Sequence, residues 1–148
     1  MNEKQRREKQ QQAINRKANS SVFATYTMAV ILEGFALDEQ QTTIHKEAVL
    51  MREFLGKSDL ATEIGDNSDL IVDLMLRIAP KSVLIPILCE LIWRESRKFV
   101  ELYRQFEPRF EYARENTVRN LHLFATFLEI DKVKYKEVSK LLNDIKKA

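Results

Sequence analysis

Helix breakers are scarce in this chain, and that scarcity most constrains what it can fold into. The 148 residues include only three glycines and three prolines. A β-sandwich or barrel needs turn residues roughly every 8–12 positions, so the chain has too few. The expected class is all-α: a single compact helical bundle of five to six helices (residues 20–148) behind a flexible basic N-terminal arm (residues 1–19). Gly34, Gly56 and Gly65 each fall where a helix is expected to stop.

The stretch 82–106, SVLIPILCELIWRESRKFVELYRQF, is the expected central helix. Leu84, Leu88, Leu91, Phe99, Leu102 and Phe106 recur at three- and four-residue steps and give it a continuous apolar face. Pro86 is tolerated in a first turn, so regular helix is expected to begin near Ile85 or to kink there. The other expected helices are 21–33, 38–55, 68–79, 109–129 and 132–146, with a short fragment at 58–64. The N-cap candidates are Ser20 or Ser21, Asp38 with Gln41, Ser58, Asn67 or Ser68, and Asp131. Pro80 separates 68–79 from the central helix closely enough to predict a tight hairpin. Expected core residues are Ile31, Met51, Leu74, Leu88, Leu91, Leu102, Leu121, Phe124 and Leu141.

Charge is unevenly spread. Residues 1–17 hold six basic residues against two acidic, and so do residues 132–148, while 18–131 hold twelve basic against eighteen acidic. Two basic ends on an acidic body suit contact with an acidic partner, or with the body itself. The apolar run after the basic arm imitates a membrane anchor, but Thr25, Tyr26, Thr27 and Glu33 interrupt it. Since a spanning helix needs about 20 apolar residues, no membrane contact is expected.

No motif for chemistry stands out. A lone cysteine, Cys89, cannot form an intramolecular disulfide or a CxxC metal knuckle. It fits a reducing, cytoplasmic setting and reads as a buried, inert thiol. His122 reads as a partly buried core residue and His45 as the margin of an amphipathic helix. Asp66 to Asp69 superficially resemble a calcium loop, but Ile71 occupies the position that needs glycine. The glycines are too far apart to cradle a phosphate. Glu90 and Glu95, five apart on a helix, diverge. No catalytic, cofactor-binding or metal-binding residue is expected, nor any cofactor.

By elimination, the sequence reads as a non-enzymatic protein-binding helical factor: an adaptor, regulator or small assembly subunit. Its expected partner is another protein or a second copy of this chain in a homo-oligomer. The candidate partner-binding residues are Arg94, Arg97, Lys98, Tyr103, Arg104, Phe106 and Phe110, on the second half of the central helix and around the turn at Pro108. Arg94 and Lys98 are a like-charge pair one turn apart, which an internal acid or an acidic partner would relieve. The alternative is a nucleic-acid-associated factor that uses Lys4, Arg6, Arg7, Lys9, Arg16 and Lys17 of the arm with the Lys-rich C-terminal helix.

Overall fold

The structure, a computed structural model, describes residues 2–56, 68–103 and 117–147, and these residues contain no strand. Among the described residues six helices follow one another: α1 (Glu3–Asp38), α2 (Thr42–Leu55), α3 (Ser68–Ile78), α4 (Lys81–Tyr103), α5 (Arg119–Phe127) and α6 (Lys132–Lys147). The all-α class is as expected. The expected fragment at 58–64, the boundary at Pro108 and residues 109–116 lie outside the described residues.

The centre of the fold is α1 against α4. α2 packs on α1 and α5 on α4, while α3 and α6 close the remaining sides. Seven consecutive α4 residues, Leu84 to Glu90, are buried. A helix buried all round must lie in the middle of its domain. α4 begins at Lys81, earlier than expected, and runs through Pro86. The missing N–H of Pro86 leaves one intrahelical acceptor without its donor, the carbonyl of Ser82. Ser82 is exposed, so water can serve it, while the buried Pro86 ring adds to the core.

α1 overturns two expected boundaries. Helix does not start at Ser20 or Ser21 but at Glu3, where the Asn2 side chain accepts from the Gln5 N–H and Gln5 reciprocates. Glu3 and Arg7 pair one turn apart, 2.8 Å. The apolar second half supplies a nucleus, and extending an existing helix through good helix formers costs little. The expected flexible arm is thus helical along its backbone, and residues 2–10 are all exposed. Nor does α1 stop at Gly34. It runs to Asp38 and is capped at Glu39, after which Gln40 takes a left-handed conformation (φ 57°) and Gln41 N–H donates to the Ala36 carbonyl, a Schellman-type closure built without glycine. The segment Ser20–Asp38 has a mean hydropathy of 1.4, long and apolar enough to cross a membrane, yet 56 % of it is buried inside the fold.

Side-chain pairs hold the helices in register. Arg52 of α2 pairs with Glu33 of α1 through both guanidinium and carboxylate forks. Asp38, expected to cap α2, instead binds Lys81 Nζ at 2.7 Å and ties the end of α1 to the start of α4. α2 is capped at Gln41 without a side-chain bond. Asp131 caps α6 as expected, accepting from the Val133 and Lys134 N–H groups at 3.1 Å.

α3 departs from expectation in two ways. It buries Ile71 and Met75, while Leu74, the expected core residue, is only half-buried and Leu70 is exposed, so the buried face lies one residue, or about 100°, from Leu74. Apolar residues cover most of this helix, so its neighbours choose the face. Those neighbours are chiefly α1 and α6, with little contact to α4. The chain turns at Pro80 without forming the expected hairpin. Ile31, Met51, Leu88 and Leu121 are buried as expected, while Leu91, Phe124 and Leu141 pack half-buried against the core. The Leu102 side chain lies outside the described residues.

Candidate functional site

Glu90 lies inside the most apolar run of the chain, and its side chain is only 9 % exposed. A buried carboxylate needs charged or hydrogen-bonding partners. Glu90 has two: Oε1 accepts from Arg94 Nε at 3.0 Å, and Oε2 lies 2.8 Å from His122 Nδ1. A carboxylate only accepts, so the imidazole donates from Nδ1 and Nε2 is its remaining nitrogen. α4 supplies Glu90 and Arg94 one turn apart, and α5, packed beside it, supplies His122.

Aromatic contacts extend this pair. The His122 ring stacks on Trp93, centroids 4.0 Å apart and planes 19° from parallel. The Arg97 guanidinium lies 4.8 Å from the Trp93 ring centre. The Arg94 guanidinium sits 5.4 Å from the Tyr135 ring centre on α6. Such cation–π contacts contribute on the order of 0.5–2 kcal/mol each. A continuous chain of contacts thus runs Arg97, Trp93, His122, Glu90, Arg94, Tyr135 across three helices. The hydrogen bond to Glu90 raises the Arg94 pKa above its ordinary value. Burial pushes the Tyr135 phenol up as well, with Arg94 opposing.

Along this chain lies an open groove of about 520 Å³ between α4, α5 and α6. Its volume is within the roughly 300–1,000 Å³ typical of ligand sites. Ala125, Ile130 and Tyr135 supply apolar surface, and Glu90, Arg94, His122, Thr126, Glu129, Lys132 and Lys136 the charged and polar groups. On other faces, α5 and the turn that follows expose Leu123, Phe127 and Leu128, Phe127 at 80 %. Glu129 holds the turn in a left-handed conformation, φ 53°.

In chemical terms, an oriented imidazole beside a carboxylate is half of a general-base arrangement. The other half, a nucleophile, is not poised among the described residues. The Thr126 hydroxyl donates to the His122 carbonyl at 3.1 Å. Cys89 is fully buried and its thiol is pushed up to about 12 by desolvation. The described residues hold no group of three or more potential metal ligands.

Three of the sequence-derived candidates meet here or beside it. Arg94 lines the groove, Arg97 backs Trp93, and Lys98 binds Glu95 at 3.2 Å. The Arg94–Lys98 repulsion is relieved from within the helix, by Glu90 and Glu95. The side chains of Tyr103, Arg16 and Lys17 lie outside the described residues, as do Arg104, Phe106 and Phe110 altogether. Lys4, Arg6, Arg7 and Lys9 are exposed on the first turns of α1. The sequence alone reads His122 as a partly buried core residue and singles out no role for Trp93. A signal was present: an acid isolated in an apolar run demands a partner, and the chain has only two histidines. Comparison with protein-family models, with curated proteins and with solved structures finds no match.

Proposed function

We propose that this chain is a non-enzymatic protein-binding factor and that the groove between α4, α5 and α6 is its binding surface. One observation carries the reading: an apolar-floored groove of about 520 Å³, edged by cations and lined by the aromatic Tyr135, opens between α4, α5 and α6. Aromatic anchors next to a concave apolar surface characterise protein interfaces. The ordered ladder from Arg97 to Tyr135 holds the α4 wall in place, so little ordering remains to be done on binding.

The test is affinity capture from the native source with the wild-type chain and with Thr126→Trp, an exposed substitution that fills the groove. Thermal unfolding confirms that the variant folds. A protein retained by the wild type and lost by the variant supports the reading. Identical recovery by both removes the groove from it.

A second reading has an observation of its own. Lys4, Arg6 and Lys9 lie on exposed turns of α1, where among the described residues only the neighbouring Arg7 is held in an ion pair. That surface suits a nucleic-acid backbone. Binding to generic duplex that weakens steeply with salt and vanishes on deleting residues 1–17 supports it. Unchanged binding after the deletion rules the arm out.

A further inference from the structure

We infer that the groove recognises a segment of a partner protein in which apolar side chains are flanked by carboxylates. This deepens the reading above and rests on it. The argument is charge complementarity. Lys132 and Lys136 are one turn apart on α6, both line the groove, both are exposed, and neither has an acidic partner among the described residues. Arg94 spends its Nε on Glu90, yet its side chain remains 59 % exposed, with further N–H donors to offer. Against these three cations stand two carboxylates. Glu90 is buried and held by both Arg94 and His122. Glu129 alone on the rim is uncommitted. A ligand with acidic flanks meets unpaired cations, whereas a basic one meets repulsion.

The apolar surface says why the ligand is a peptide segment. Ala125, Ile130 and Tyr135 give the groove a floor for uncharged groups. At about 520 Å³ the groove holds far more than a small anion would fill. The apolar contacts set affinity, while the rim charges set selectivity and association rate.

The experiment is selection of a displayed library of random short peptides on the wild-type chain, with counter-selection on Thr126→Trp. The expected peptides combine large apolar residues with Asp or Glu. Lys132→Glu/Lys136→Glu weakens them about tenfold or more, and their Asp/Glu→Lys counterparts gain on that reversed variant. Groove-dependent peptides without acidic enrichment, or indifferent to the reversal, overturn the acidic specificity and leave the protein-binding groove standing. A selection that yields no groove-dependent peptide overturns both.

Discussion

The indole of Trp93 and the imidazole of His122 stack at 4.0 Å, joining α4 to α5 through the only tryptophan in the chain. Fluorescence therefore reports directly on the site. His122→Ala removes one stacked face and one of Glu90's two partners. The stacking contributes about 0.5–1.5 kcal/mol, and a buried acceptor left short of a donor costs about 1–3 kcal/mol. A red shift in emission and a loss of about 1–3 kcal/mol in urea unfolding are expected. An unchanged spectrum with unchanged stability would contradict the stacking.

The Glu90–Arg94 pair is asymmetric in exposure, 9 % against 59 %. Removing Arg94 leaves a buried carboxylate with His122 alone, while neutralising Glu90 leaves a guanidinium that water can solvate. Arg94→Ala is therefore expected to destabilise by about 1–3 kcal/mol, and Glu90→Gln by less. Denaturant midpoints of the two variants decide it, and the reverse order would show that Arg94 is dispensable to Glu90.

Gly34 lies within α1, exposed, and a Cβ built on it meets nothing within 4 Å. Gly34→Ala should stabilise by about 0.5–1 kcal/mol, because glycine gives up more backbone freedom in a helix than alanine. Gly56 is the contrast. Its Cβ would stand 3.0 Å from the Arg52 carbonyl oxygen and 3.4 Å from the Tyr26 ring. Differential scanning calorimetry should show Gly34→Ala melting higher than wild type and Gly56→Ala lower. A lower midpoint for Gly34→Ala would mean that α1 does not pass through this position as helix.

Cys89 carries a pH signature. Its thiol pKa rises from 9.0 to about 12 on burial, so the folded state keeps a proton that the unfolded chain gives up. The stabilisation is complete below about pH 9 and is lost as pH rises toward 12. The slope is about 1.4 kcal/mol per pH unit in that window. Unfolding at pH 8 and pH 10 should show a larger alkaline loss for the wild type than for Cys89→Ala. Native protein at pH 8 should also resist thiol reagents until unfolded. Equal alkaline losses in both proteins would place the thiol in water.

The sequence made legible whatever depends on period and capping. The amphipathic stripe of α6, the Asp131 cap and the buried face of α2 follow from spacing alone. What stayed hidden depends on choices made in three dimensions. Gly34 reads as a stop because the true closure uses Gln40, a residue without the freedom that marks such turns. α3 is apolar on too many sides for its own pattern to pick the buried face. At the site, Arg94, Arg97 and Lys98 were visible as a charged cluster, but the pairing of Glu90 with His122 spans 32 residues and needs the α4–α5 packing to exist.

The meeting of α1 with α4 also sets an order of events during synthesis. The contact from Asp38 to Lys81 spans 43 residues, and ribosomes add roughly 5–20 residues per second. The apolar half of α1 therefore emerges seconds before the helix that will cover most of it. During that interval the nascent chain presents a stretch as greasy as a membrane span, with only α2 and then α3 to shield it. Its fate then rests on whether a chaperone, a targeting factor or α4 reaches it first.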